Sequence, residues 1–200
     1  MYDMNIPERL SKQVDFILEL DKMKNLYRQT YVIHEDRKEN DAEHSWHLAI
    51  LAFLLAEYSN EKIDVSHVMK MVLIHDVVEI DAGDTYCYDS EGNKSKAERE
   101  ENAAARIFGL LPDDQQKEFY ALWREFEDCS TPDAKFAAAL DRLQPLLLNY
   151  TKGGISWKEH GIHKPQVADR NRSVGEASVQ LSELIHGIIN DAADKGMLKA

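Results

Sequence analysis

Residues 72–80 read VLIHDVVEI. A histidine and an aspartate, His75 and Asp76, stand side by side within an apolar run. The pattern places two polar, ligand-capable groups in a mostly buried helix. Burying a carboxylate costs on the order of several kcal/mol unless it is paired, hydrogen-bonded or bound to a cation. One divalent ion would remove that cost for both residues. Alone, the pair has a plainer explanation as a surface dipeptide or a buried His–Asp hydrogen bond, because two-residue matches are common by chance.

Two further stretches change that balance. His44 lies at the start of the preceding helical segment, in AEHSWHLA (42–49), and Asp141 lies in AALDRLQ (138–144), again between apolar neighbours. Helices of a bundle can project such groups inward to one centre. Two imidazoles and two carboxylates suit Mn, Co, Fe, Zn or Mg better than a thiophilic ion. Four protein ligands leave positions on an octahedral ion for water and substrate.

The remaining pattern is helical. Leu10, Val14, Ile17 and Leu18 share one face of a helix that starts after Pro7 and ends near Leu26 to Arg28. Asp41 is a fitting N-cap for a second helix, 42–58, whose apolar side holds Leu48, Leu51, Leu55 and Tyr58. Asp64 caps a third, carrying Val68, Val72, His75 and Glu79. A loop from Asp81 to Ser95 precedes helices over 94–108, 113–127 and 132–150, the last broken by Gly153-Gly154, and a last long helix spans about 165–194. No period-2 strand is evident. The expected architecture is an all-α bundle in a single domain, 1–200, with its core about 28–150.

Composition narrows the function classes. The 200 residues are 44% apolar and 30% charged, as in ordinary globular proteins. A formal net charge of -12 repels nucleic-acid backbones and anionic lipid, while a small anionic substrate can still bind beside a cation. No apolar run approaches the roughly 20 residues of a membrane span, and MYDMNIPERL holds no apolar leader. Cys87 and Cys129 lack metal or redox spacing. These features predict a cytoplasmic protein with reduced thiols and neither nucleic-acid polymer nor membrane as partner.

His44, the His75-Asp76 pair and Asp141 together resemble the H…HD…D signature of the HD-domain metal-dependent phosphohydrolases. RKENDAEHSWHLA (37–49), LIHDVVEIDAGD (73–84) and LDRLQPLLLNY (140–150) are similar to the small HD hydrolases that include 5′-deoxynucleotidases. The resemblance runs from about Arg28 to Tyr150. It implies an HD-domain fold, one divalent metal ion held by His44, His75, Asp76 and Asp141, and hydrolysis of nucleoside 5′-monophosphates by a metal-bound water. It also implies a homodimer. Other HD hydrolases act on nucleoside triphosphates or cyclic nucleotides, and fold does not fix substrate. A non-catalytic metal- or nucleotide-binding helical protein is the alternative from another class.

The resemblance assigns further roles. Glu79 matches a catalytic glutamate; its chemistry suits either proton transfer or orientation of His75. Asp84 matches a substrate-contacting aspartate, and Gly83-Asp84 is otherwise a turn. Arg28 approximately matches the phosphate-binding arginine near the end of the first helix, and Arg37 fits the family's R-x-x-x-x-x-E-H stretch, where an arginine can bind phosphate, although it more commonly pairs with nearby carboxylates. The bacterial pattern carries Arg-Trp where this chain has Arg28-Gln29, which leaves deoxyribose preference open. His47 is assigned to packing, and Trp46, Trp123 and Trp157 to core or interface.

Overall fold

The computed structural model describes residues 6–89 and 91–199. The first half of MYDMNIPERL, residues 1–5, lies outside them.

The first helix, α1 (Glu8–Leu20), follows Pro7 and tightens into a 3₁₀ turn, Asp21–Asn25. The chain then becomes extended. β1 (Tyr27–Tyr31) pairs antiparallel with β2 (Lys38–Asn40), so Arg28 sits on a strand where a helix end was expected. The strands were missed because they are short and lack apolar alternation. Their inward residues are the polar Thr30 and Glu39, 7% and 4% exposed.

α2 (Asp41–Leu55) begins with a reciprocal cap. Asn40 Oδ1 accepts from the Glu43 amide at 2.9 Å, and Glu43 Oε2 accepts from the Asn40 amide at 3.2 Å. Asn40 therefore replaces Asp41 as the cap. Asp41 turns inward and is fully buried. Apolar residues surround α2 on two sides. His44, Leu48 and Ala52 face the core, whereas Trp46, Ile50, Phe53 and Leu54 remain exposed.

α3 (Val65–Ile74) starts at the expected cap, Asp64, which accepts from the amides of Ser66 and His67. The helix stops at His75, earlier than the pattern suggested. The next backbone bonds span three residues, Val77 to Ile74 and Glu79 to Asp76. Two buried β-branched residues, Val77 and Val78, fill this tight turn. Glu79 opens a separate short helix, α4 (Glu79–Ala82), which ends where Gly83 takes a positive φ of 77°.

α5 (Lys96–Phe108) and α6 (Asp113–Asp128) cover one side of the core. α7 (Pro132–Thr151) is the central element and packs against α2, α3, α6 and the two helices at 174–177 and 179–194. Its buried face includes Phe136, Leu140, Leu143 and Gln144. Pro145 has no N–H to return to the Asp141 carbonyl, so the helix ladder is interrupted one turn beyond Asp141. Gly153 and Gly154, both at positive φ, separate α7 from α8 (Ile155–Glu159).

The expected final helix is divided into α9 (Lys164–Arg170), α10 (Val174–Ala177) and α11 (Val179–Asp194). Ser178 is extended at φ -156° and caps α11 by accepting from the Leu181 amide. Local serine capping thus overrides a continuous apolar pattern. The result is a helical bundle with one small hairpin, and no helix among the described residues is long and apolar enough to cross a membrane. Both cysteines are free. Trp123 and Trp157 lie in the core, while Trp46 is 63% exposed.

Candidate metal centre

His44 arrives from α2, His75 and Asp76 from the end of α3, and Asp141 from α7. His44 Nε2 lies 3.1 Å from Asp141 Oδ1 and 3.8 Å from Asp76 Oδ2. His75 Nε2 lies 3.1 Å from Asp76 Oδ1 and 3.7 Å from Asp141 Oδ1. The four side chains meet at one point although up to 97 residues separate them.

The outer hydrogen bonds fix the state of each imidazole. The Val72 carbonyl can only accept, so His75 Nδ1 donates to it at 2.9 Å. The His75 Nε2 lone pair then faces the centre, where this atom has no hydrogen-bond partner. For His44 the argument passes through Gln144. Gln144 Nε2 donates to Glu39 Oε1 at 2.6 Å, which turns the amide oxygen toward His44 Nδ1 at 3.0 Å. His44 Nδ1 must donate, and its Nε2 lone pair also points inward. Two nitrogen lone pairs and two carboxylates therefore confront one another at the centre. Such a set of acceptors is repulsive unless positive charge lies between them, and it fits a divalent cation.

The electrostatics show the same demand for positive charge at the centre. Burial is the largest influence on His75 and opposes its charge, yet Asp76 and Asp141 hold its pKa well above the ordinary value. Burial lowers the pKa of His44, aided by Arg28. Asp141 is held well below the usual carboxylate range despite burial, because His44 and His75 stand against it.

Arg28 enters from β1. Its Nη1 donates to Asp76 Oδ2 at 2.7 Å and to Asp41 Oδ1 at 3.3 Å. Asp41, Asp76 and Glu79 form a second close group, with one oxygen of each within 4.8 Å of the others. One guanidinium faces five carboxylates here, those of Asp41, Asp76, Glu79, Asp84 and Asp141, so negative charge is in excess. Burial, then Asp76, raises the Asp41 pKa to about 7. Glu79 is 4% exposed, its Oε2 has no partner, and burial followed by Asp76, Asp41 and Asp84 raises its pKa well above the usual value.

A cavity of about 160 Å³ opens beside these groups. Arg28, His75, Asp76, Glu79, Asp84 and Asp141 line it, with His44 buried behind them. Arg37 does not join them. Its guanidinium binds Glu43 in two bonds of 2.7 and 2.9 Å on the surface. Gln29 does line the cavity, held by Lys38 Nζ at 2.6 Å. His47 rests against Gln144 at 3.2 Å.

Sequence reasoning missed Asp41, Glu39, Gln144 and Lys96. Asp41 and Glu39 lie in a polar stretch, and only tertiary contact reveals their burial. Lys96 lines the cavity and pairs with Glu100 at 3.3 Å. Gln144 carried one signal, a polar residue on the buried stripe of α7. Replacing Gln144 with Leu removes the acceptor for His44 Nδ1. Manganese affinity, measured by isothermal titration, is expected to fall about 10–100-fold. Unchanged affinity would mean that His44 needs no orienting partner.

The family profile described as HD domain matches residues 20–182. A human 5′-deoxynucleotidase is 30% identical over 135 residues, 67% of this chain; the match spans only 65% of that protein's length. The 5′-deoxynucleotidase of Danio rerio is 30% identical over 179 residues, covering 84% of this chain and 88% of that one. Among solved structures, a predicted metal-dependent phosphohydrolase from Magnetospirillum magnetotacticum MS-1 superposes with a TM-score of 0.92. It is 47% identical, covering 97% of this chain and 100% of the other.

Proposed function

The chain belongs to the HD domain family, and we propose on that basis that it is a metal-dependent phosphohydrolase acting on nucleoside 5′-monophosphates. The observation that carries this reading is the convergence of two histidine lone pairs and two carboxylates beside a cavity holding Arg28 and Glu79. The similarity to 5′-deoxynucleotidases supports the substrate class.

His44, His75, Asp76 and Asp141 hold one divalent ion, with Mn, Co, Mg, Fe and Zn all compatible with nitrogen and oxygen donors. When bound, the ion supplies Lewis-acid activation of the phosphate and the attacking water. Arg28 faces the developing negative charge on the phosphate oxygens. Water oxygen bonds to phosphorus as the P–O5′ bond breaks. Glu79, with Oε2 free, moves the proton between water and the departing alkoxide. Asp84, at the cavity wall, contacts the sugar. Phosphate release is tested with a panel of deoxy- and ribonucleoside 5′-monophosphates under Mn, Co and Mg. Release from at least one supports the reading; turnover confined to triphosphates or cyclic nucleotides overturns the substrate class.

The protein works as a single HD domain in the cytoplasm, a location supported by its two free thiols. It forms a homodimer through the exposed stripe of α2. Trp46, Phe53 and Leu54 are 63%, 68% and 57% exposed, an apolar face that a second copy would bury. Phe53→Glu is expected to shift the sedimenting species from dimer to monomer, and a wild-type monomer at micromolar concentration would refute the assembly.

A further inference from the structure

Two arginines in the cavity wall have no role so far. Arg142 follows Asp141 on α7, and Arg170 ends α9; both line the cavity. Arg170 Nη2 lies 3.5 Å from Asp141 Oδ2. The other oxygen of that carboxylate, Oδ1, faces His44 Nε2 at 3.1 Å. Arg170 therefore flanks the centre across a single carboxylate. Arg142 donates to Ser173 Oγ and has no carboxylate within 4.0 Å among the described residues. Arg170 stands near enough to Arg142 for their like charges to repel. Arg170 alone of the two is paired with a carboxylate, and that carboxylate is already directed at the centre.

We infer that Arg142 and Arg170 form an anion subsite that grips the phosphate from the side opposite Arg28. A guanidinium presents a planar fork suited to phosphate oxygens, and two forks side by side match a dianion better than any neutral ligand. An incoming dianion would relieve the repulsion between the pair and restore the polar contacts that Arg142 loses on burial. The site lies beside Asp141, so a phosphate reaching the centre comes within reach of both arginines. Arg37, bound to Glu43 on the surface, cannot serve there. The inference rests on the phosphohydrolase reading for its purpose, but not for its geometry.

The test is binding of inorganic phosphate to the full-length, manganese-loaded protein. Wild type is compared with Arg170→Gln, Arg142→Gln and, as a reference, Arg37→Gln. Arg170 is exposed enough for substitution without repacking, so it guards against a folding defect in the Arg142 variant. Phosphate affinity is expected to fall about 10–100-fold in Arg170→Gln and Arg142→Gln, the range of lost hydrogen bonds to a charged group. Manganese affinity in all variants, and phosphate affinity in Arg37→Gln, should stay within about twofold of wild type. Phosphate binding unchanged in the Arg170 and Arg142 variants, or absent from wild type, overturns the subsite. If phosphate binding depends on the pair yet no phosphomonoester is turned over, the activity fails and the subsite stands.

Discussion

Asp76→Ala is expected to lower phosphate release by at least about a thousandfold, since a metal centre contributes several kcal/mol of transition-state stabilisation. Asp76 acts on two sides. Its Oδ1 lies 3.1 Å from His75 Nε2, and its Oδ2 receives Arg28 at 2.7 Å. Removing the carboxylate deletes one proposed ligand and frees the guanidinium that faces the phosphate. Asp76→Asn keeps the shape but not the charge and should lose nearly as much. The neighbouring Val77 and Val78 remain buried in either variant, so helical content should persist in circular dichroism. Metal content per chain, measured by atomic spectrometry, should fall together with the rate. A variant that keeps its wild-type rate at saturating manganese would remove the metal mechanism altogether.

Glu79→Gln is the second large effect, with kcat falling about 10²–10⁴-fold, the usual contribution of a positioned acid or base. The side chain is buried, close to Asp41 and Asp76, and its Oε2 has no partner. Glutamine preserves volume and removes the exchangeable proton. If Glu79 transfers that proton, manganese affinity survives the change and excess metal does not restore the rate. If Glu79 only orients its neighbours, affinity falls and added manganese recovers turnover. The two roles left open by the sequence are separated by this one titration.

The sequence made the helical character, the Asp64 cap, the Gly153-Gly154 break and the four converging residues visible. Each has a local signature: an apolar period, a capping side chain, a glycine pair, or a polar residue within an apolar run. The hairpin had none. Thr30 and Glu39 face inward, and their burial is made tolerable by Gln144, which is distant in sequence. Asp41 was read as a cap because aspartate commonly serves there, but Asn40 one residue earlier completes the reciprocal cap with Glu43. The end of α3 at His75 was hidden as well. Residues 72–80 remain apolar across the turn, and periodicity cannot distinguish a helix from a tight turn that stays buried. The role of Arg37 followed from resemblance, and a surface carboxylate six residues further along, Glu43, captured it instead.

The link from Glu39 through Gln144 to His44 joins positions 105 and 100 residues apart. Closing a flexible loop of that length costs about 4 kcal/mol in chain entropy. Early, local segments of the polypeptide therefore cannot hold the imidazole in its working orientation. The pocket assembles only once both halves of the chain have met, and neither half released by proteolysis would inherit a partial version of it.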